Sequence, residues 1–222
     1  MVRPTLALIH TSATLIPVFQ ALCKAQLPHV DTFNLVDDSL VRAIGAKGAL
    51  TPDIARRVQA YISSAEAGGA DHILVTCSSI GPAVEAAAPF CAVPVLRVDQ
   101  PMADLAVRTG RRIGVIATLP TTLHPTSDLV RRRAALAGRE IELTASLVDG
   151  AFEALMAGEG AKHDALVATA LRALAARVDV IVLAQASMAR VVDALPAEEK
   201  RLPILASPPL AIAHLATVFA AK

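Results

Sequence analysis

Short apolar runs alternate with longer segments of helical period along the whole chain. The short runs are rich in Val, Ile and Leu, whereas the longer segments carry Ala, Leu and Arg at helical spacing. Strands of a parallel sheet are buried on both faces and alternate with helices, so this pattern predicts repeated strand–helix–strand units. The predicted strands are Thr5–His10, Val30–Leu35, His72–Thr76, Val93–Val98, Arg112–Ala117, Glu140–Ala145, Val180–Ala184 and Pro203–Ala206.

The eight predicted strands divide into two sets of four that repeat one another. LALIHTSATL recurs as IGVIATLPTTL, ADHILVTCSS as VDVIVLAQAS and VPVLRV as LPILAS, at offsets of 107, 108 and 109 residues. Three matches in the same order and at nearly one offset indicate a duplication. We therefore predict an α/β fold with two pseudo-symmetric halves, residues 1–105 and 106–222, each a four-stranded parallel sheet flanked by helices. The last helix is free to pack back on the first half, and we expect the active site in the cleft between the halves, where strand-end loops meet.

Charge and hydropathy restrict the partners of the protein. The chain carries 21 Lys and Arg against 20 Asp and Glu, so no overall field attracts it to nucleic acid or to a membrane, and a small molecule is the expected partner. Neither a signal peptide nor an apolar run of roughly 18 residues is recognisable, which favours a cytoplasmic location. Asp37, Asp38 and Ser39 end the second predicted strand and are candidates to rim the cleft, but we interpret them as solvated turn residues. Arg56 and Arg57 are interpreted as part of an exposed helix face.

The three cysteines stand at unrelated spacings and form no CxxC pair or Cys/His cluster, so we expect free thiols and no metal. Cys23 lies in a helical segment and Cys91 precedes a strand, and both are expected to be structural. The sequence contains neither GxGxxG nor a P-loop. We therefore expect no nucleotide cofactor.

The loop after the third predicted strand reads TCSSIGP, residues 76–82. A helix is predicted directly after it, so Thr76, Cys77, Ser78 and Ser79 lie where backbone N–H groups and the helix dipole favour an anion. This setting also favours the thiolate of Cys77, which can take a proton from carbon or attack an electrophile. The alternative is a small cysteine that packs as an apolar group. The polar loop favours a catalytic role for Cys77.

The first strand of each half is also followed by residues that carry hydroxyl groups. Such hydroxyls, and the N–H groups at the following helix starts, suit a substrate carboxylate. Ser and Thr are equally ordinary as helix caps, so capping alone is a full alternative. His10 is a further candidate for acid–base chemistry or hydrogen bonding, although a lone histidine is more often structural. The candidate substrate-binding residues of these loops are His10, Thr11, Ser12, Thr118, Thr121 and Thr122.

The segments GGADHILVTCSS, GRRIGVIATLPTTL and VDVIVLAQASM, with their order and spacing, resemble the aspartate/glutamate/hydantoin racemase superfamily. That superfamily also includes maleate isomerases and arylmalonate decarboxylases, and the resemblance spans nearly the whole chain. It implies a cofactor-independent isomerase acting next to a carboxylate, with one cysteine from each half facing the substrate carbon. The position in the first half matches Cys77, whereas the position in the second half matches Gln185. An amide does not exchange a proton at neutral pH, but it donates and accepts hydrogen bonds.

Three hypotheses follow for a small carboxylate substrate. In the first, Cys77 moves a proton and another group, with Ser187 or His10 as candidates, replaces the second thiol in a racemase or epimerase. In the second, Cys77 acts alone, either adding to an unsaturated carbon in a cis–trans isomerase or protonating a carbanion after loss of CO2, while Gln185 binds the substrate. In the third, the protein binds a small acid without turnover. A homo-oligomer is a reasonable expectation for a soluble enzyme.

Overall fold

All eight predicted strands are present in the computed structural model, which describes residues 3–221 of the chain. Each strand end lies within two residues of the predicted end. The strands are β1 (Thr5–His10), β2 (Asp31–Val36), β3 (His72–Val75), β4 (Val95–Arg97), β5 (Arg112–Ala117), β6 (Glu142–Leu147), β7 (Val180–Leu183) and β8 (Ile204–Ala206). The helices are α1 (Ile16–Gln26), α2 (Ser39–Lys47), α3 (Pro52–Ala67), α4 (Gly81–Ala87), α5 (Gln100–Thr109), α6 (Pro120–Leu136), α7 (Ala151–Met156), α8 (Gly160–Ala175), α9 (Ala189–Ala194) and α10 (Ser207–Ala220).

The strands form two parallel sheets of four strands with the same internal order. The first sheet is ordered β2-β1-β3-β4 and the second β6-β5-β7-β8. The registers correspond as well, because Leu6 of β1 pairs with His72 of β3, and Ile113 of β5 pairs with Val180 of β7. These residues are related by the 107- and 108-residue offsets of the sequence repeat. The predicted fold class, two α/β halves with parallel sheets, is confirmed.

The chain divides into two compact units, each built around one sheet. One unit holds the chain up to Asp99 and again from Pro208, and the other is Gln100–Ser207. The first sheet therefore belongs with α1 to α4 and α10, and the second sheet with α5 to α9. Although α10 directly follows β8 of the second sheet, this carboxyl-terminal helix packs on the first sheet.

The first sheet is covered by helices on both faces, as expected for parallel strands. Odd-numbered residues of β1 and β3, such as Ile9 and Val75, pack against α2, α3 and α4. Even-numbered residues, such as Leu8 and Leu74, pack against α1 and α10, where Phe19 is buried. This alternation continues at the strand ends and decides the face to which each site residue points.

The second sheet is packed in the same way. Ile181 and Leu183 of β7 contact the buried faces of α7, α8 and α9, where Val167 and Leu171 lie. Helices α5 and α6 cover the opposite face, through contacts of α5 with β7 and of α6 with β5. Within residues 3–221, none of the helices has the length and apolar character needed to cross a membrane.

Candidate active site

Cys77 occupies the turn between β3 and α4. Its backbone is extended (φ −129°, ψ 119°), and it precedes a single 3₁₀ turn, Ser78–Ile80, that leads directly into α4. The thiol is half-buried and packs on the core formed with α2, α3 and α4. Ser78 and Ser79 are buried in the turn itself. Cys77 is therefore held at the carboxyl edge of the sheet with part of its surface accessible, as a reactive group requires.

Thr76, directly before Cys77, is bonded to the neighbouring strand. Its hydroxyl oxygen lies 2.8 Å from Nδ1 of His10 and 3.1 Å from the carbonyl oxygen of Ile9. Nε2 of His10 lies 2.9 Å from Oδ1 of Asn34 on β2, and the His10 ring stacks at a tilt on Phe19. A side-chain network thus joins the carboxyl ends of three adjacent strands directly beneath the Cys77 turn.

The network determines the state of His10, which is completely buried. The Thr76 hydroxyl donates to the carbonyl oxygen of Ile9, and with Asn34 Oδ1 as acceptor the proton of a neutral His10 ring lies on Nε2. Burial lowers the pKa of His10, although the hydrogen bond to Asn34 opposes that shift, so the neutral ring is favoured. Both ring nitrogens are engaged inside the first unit. A contact of His10 with substrate stays a prediction.

The loop after β1 carries the next two candidate residues. Thr11 is buried and, like Cys77, lies two positions beyond the register pair Ile9 and Val75. Ser12 caps the following 3₁₀ turn, because its Oγ accepts the N–H of Thr14 at 3.4 Å and lies 2.7 Å from the Thr14 hydroxyl. Ser12 therefore acts as a helix cap, which was the alternative to substrate binding for these hydroxyls. Substrate binding by Thr11 and Ser12 stays a prediction.

Asp37, interpreted from the sequence as a solvated residue, is the centre of a polar cluster beyond β2. Its carboxylate accepts hydrogen bonds from the Ser39 hydroxyl at 2.6 Å, the Tyr61 hydroxyl at 2.7 Å and the guanidinium of Arg57. Burial acts to raise the pKa of Asp37, but the bonds from Ser39 and Tyr61 and the charge of Arg57 hold it below its ordinary value. The interpretation of Asp37 as a solvated turn residue was wrong, because α3 folds back onto the strand end and leaves the Asp37 side chain 12% exposed, whereas Arg57 keeps 40% of its side chain exposed.

Cys23 lies in apolar surroundings, and Cys91 combines apolar packing with a neighbouring Glu66. Cys23 is buried between α1 and α10, and burial raises its pKa to about 11. Cys91 packs on the core of the first unit, and burial again raises its pKa above the ordinary value. Such thiols are protonated at neutral pH and weakly nucleophilic. Their surroundings agree with the structural roles expected for them.

Gln185 of the second unit has the same local setting as Cys77. Its backbone is extended (φ −131°, ψ 135°) and precedes the 3₁₀ turn Ala186–Met188. Its Oε1 accepts the backbone N–H of Thr118 at 2.6 Å and the Thr118 hydroxyl at 3.0 Å. The N–H and hydroxyl of Thr118, which the sequence predicts as donors to a substrate carboxylate, are thus hydrogen-bonded to Gln185 within the same unit. The NH2 group is left as the donor end of the Gln185 side chain.

The remaining candidates of the second unit surround this pair. Thr121 and Thr122 lie in the first turn of α6, half-buried and buried respectively. Pro125 lies inside α6 and has no N–H, so the carbonyl of Thr121 lacks its intrahelical partner. Ser187 is half-buried in the turn after Gln185. Substrate binding by these residues stays a prediction.

The repeat allows the two strand edges to be compared position by position. Cys77 and Gln185 are equivalent, as are Thr11 and Thr118. Ala117 stands in place of His10, and Ala184 in place of Thr76. At these matched positions, the titratable side chains all belong to the first unit.

A buried ion pair at the end of β4 was not predicted from the sequence. Arg97 is 1% exposed and Asp99 is completely buried, and the guanidinium binds the carboxylate through Nε at 2.7 Å and Nη2 at 2.8 Å. The available signal was the arginine itself, since it interrupts an otherwise apolar predicted strand. A buried charge must be paired, so a partner at short range was to be expected.

Comparison with known proteins identifies the family. The profile of the Asp/Glu/Hydantoin racemase family matches residues 7–215, nearly the whole chain. The chain belongs to this family. No curated protein matches it. Membership makes the protein an isomerase-type enzyme and confirms the resemblance drawn from the three sequence segments.

Solved racemase structures share the fold of this family member. The chain superposes on an allantoin racemase from Klebsiella pneumoniae with a TM-score of 0.71 and 19% identity, over 98% of this chain and 88% of the other. A glutamate racemase from Aquifex pyrophilus gives 0.69 and 19%, over 96% and 83%. An aspartate racemase from Picrophilus torridus gives 0.70 and 12%, over 96% and 94%. At such low identities these similarities establish the fold alone.

Proposed function

We propose that this racemase-family protein acts, without a cofactor, at the carbon next to the carboxylate of a small acid, with Cys77 as its reactive group. The observation that carries the proposal is the setting of Cys77 at the strand edge. Cys77 lies half-buried in a hydroxyl-rich turn at the carboxyl edge of the sheet, whereas Cys23 is buried within α1 and Cys91 lies before β4. Family membership supplies the reaction class, and this setting supplies the residue.

In the proposed reaction, the Cys77 thiolate removes the hydrogen on the α-carbon as a proton. The electron pair of the broken C–H bond passes into the carboxylate. A second group, for which Ser187 and His10 are the candidates, returns a proton to the opposite face of the carbon, and the Cys77 thiol then loses its proton to solvent. Hydrogen-bond donors that face the carboxylate stabilise the charge that develops there. Thr11, Ser12, Ser78 and Ser79 carry hydroxyls on the loops next to Cys77 and are the proposed donors of the first unit.

One observation favours a second candidate, in which Cys77 is the single thiol of an isomerase or lyase. The equivalent position in the second unit is Gln185, and the amide oxygen of Gln185 is bonded to Thr118. An amide held in this way offers N–H donors and no exchangeable acid–base group. Cys77 would then add to an unsaturated carbon and leave again after bond rotation, or protonate the carbanion formed by loss of CO2. That Gln185 shares the substrate with Cys77 stays a prediction of the sequence.

The experiment is a screen of small dicarboxylates, 2-substituted malonates, hydantoins and amino acids against the wild-type chain and Cys77→Ser. Deuterium wash-in at the α-carbon from D2O reports proton transfer, and a mass adduct on the Cys77 peptide reports covalent addition. Cys91→Ser, a half-buried cysteine of the same unit, is the matched control and is expected to behave as wild type.

Each outcome separates the candidates. Wash-in that disappears in Cys77→Ser supports proton transfer by Cys77, and wash-in that persists at the wild-type rate overturns it. Turnover of a maleate-like acid with a trapped Cys77 adduct, or release of CO2 from a malonate without exchange of substrate, favours the single-thiol candidate. Binding without turnover over the whole panel would contradict both and favour a protein that only binds small acids.

A further inference from the structure

The ion pair beyond β4 lies against the turn that carries Cys77. A Cβ atom built on Gly81 would lie 2.7 Å from Nε of Arg97 and closer still to its Cζ. The guanidinium therefore occupies the space of the missing side chain at the first residue of α4. Gly81 is four residues from Cys77, with only the turn Ser78–Ile80 between them. Arg97 thus packs directly on the backbone that ends the Cys77 turn.

The pair also fixes this backbone to the neighbouring strand. Arg97 pairs in register with Val75, so Cys77 and Asp99 each lie two positions beyond that pair. Asp99 holds the guanidinium by two parallel hydrogen bonds, and Nη1 lies 3.2 Å from Oε1 of Glu85, one turn along α4. Contacts on three sides leave the guanidinium one position. We infer that Arg97, held by Asp99, is a positioning residue that sets the geometry of the Cys77 turn.

The second half argues against a purely structural reason for the pair. The repeat places Ala206 at the position of Arg97, Ala189 at that of Gly81 and Pro208 at that of Asp99. That half nevertheless forms the same sheet with the same register and the same 3₁₀ turn. Buried ion pairs are in general weak contributors to stability, because desolvation offsets their attraction. The matched half forms this sheet and turn without such a pair, and the half that has the pair is the half with Cys77.

The test replaces both partners, in the double variant Arg97→Met/Asp99→Leu, so that no unpaired charge is left in the core. Apolar residues of similar volume often replace a buried pair without loss of stability. The readout is the alkylation rate of each cysteine by iodoacetamide in the folded, full-length chain, measured by mass spectrometry. Buried Cys23 reports opening of the whole unit, and Cys77 reports the turn.

We expect Cys77 to react about tenfold faster in the double variant, since a misplaced turn exposes the half-buried thiol, while Cys23 and the urea midpoint stay at wild-type values. Gly81→Ala is a second route to the same result, because its methyl group displaces the guanidinium. Arg97→Lys should also raise the alkylation rate of Cys77 above the wild-type rate, since an ammonium group cannot reproduce the planar, bidentate contact of the guanidinium with Asp99. Arg133→Met, which breaks a bidentate pair with Asp104 in the second unit, is the control and should leave Cys77 unchanged.

An unchanged Cys77 rate in a folded double variant and in Gly81→Ala would overturn the inference. A rise of Cys23 and Cys77 together would do so as well, because it would mark the pair as a general stabiliser. The labelling does not depend on the proposed reaction, so failure of that reaction is distinguished from failure of this inference. On an acid that the wild type converts, the inference additionally predicts a fall in kcat with little change in KM, since positioning acts on the reacting group.

Discussion

The substitution Gln185→Met tests whether the Gln185 side chain braces the strand edge of the second unit. Methionine keeps the length of the side chain but removes the oxygen that accepts the N–H and O–H of Thr118. Thr118 is only 5% exposed, so water replaces the lost bonds poorly. Each such bond contributes about 0.5–1.5 kcal/mol net, so the loss of two predicts a fall of about 1–3 kcal/mol in the free energy of unfolding.

Gln185→Glu is the matched variant that separates the two roles of the side chain, acceptance of the Thr118 hydrogen bonds by Oε1 and hydrogen-bond donation by the NH2 group. A carboxylate keeps the acceptor oxygen, and hydrogen bonds to a charged acceptor are stronger than those to an amide. Stability at neutral pH is therefore expected to equal or exceed that of the wild type. The same change removes the NH2 group, so any contribution of Gln185 as a donor is lost while the brace remains.

Urea unfolding followed by far-ultraviolet circular dichroism measures the loss of stability. Cys77-dependent turnover on the same preparations measures the loss of the NH2 donor. Thr118→Val removes the hydroxyl and keeps the N–H, so it should lose about half as much stability as Gln185→Met. A Gln185→Met chain within about 0.5 kcal/mol of wild type would refute the brace, since that is the range of neutral surface changes. A Gln185→Glu chain as unstable as Gln185→Met would refute the stabilising role of an acceptor oxygen at this position.

Three further predictions follow from single contacts. Burial lowers the pKa of His10, so the unfolded chain protonates His10 more readily than the folded chain does. The contribution of neutral His10 to stability is therefore complete above pH 6.5 and falls as the pH drops below that value. His10→Gln should flatten this pH dependence of the free energy of unfolding in urea titrations. Gly114→Ala places a methyl group 2.8 Å from Cδ2 of Leu174 and should lower the free energy of unfolding by about 1–3 kcal/mol, an effect relieved in a Leu174→Ala background. Tyr61→Phe removes one donor to Asp37 and should cost about 0.5–1.5 kcal/mol by the same measurement, with unchanged turnover if the cluster is purely structural.

The scaffold was predictable because its signals are local and repeated. Buried parallel strands read as uninterrupted apolar runs, and the duplication supplied each strand with a second copy at a known offset. The strand order and register of one half therefore carry over to the other without further information. The ends of the strands shifted by a residue or two because hydrogen bonding, and not hydropathy, decides where a ladder stops.

The side-chain networks at the strand ends were predictable only in part. Cys77 was identified from its polar loop, Gln185 was identified because the repeat aligns it with Cys77, and the local backbones of the two residues agree closely. The pairing of Asp37 with Arg57 joins residues twenty positions apart on different elements, and no pattern of period two or 3.6 records it. Arg97 was overlooked for a related reason, since its space exists only because Gly81 has no side chain.

The comparison of the halves bears on how such a duplicated scaffold supports chemistry. The positions that form the sheets are apolar in both halves, and they suffice to give the same order and register. The positions at the strand ends and just beyond them differ: His10, Thr76 and Cys77 correspond to Ala117, Ala184 and Gln185. The side chains at these positions differ without a change of strand order or register, and His10 and Ala117 both still pair within their ladders. In this protein Cys77, the buried histidine network and the Arg97–Asp99 pair all lie at the carboxyl edge of the first sheet, and the matched edge of the second sheet carries the hydrogen-bonding amide of Gln185. Chemistry by Cys77 as a solitary thiol is the proposal that this distribution favours.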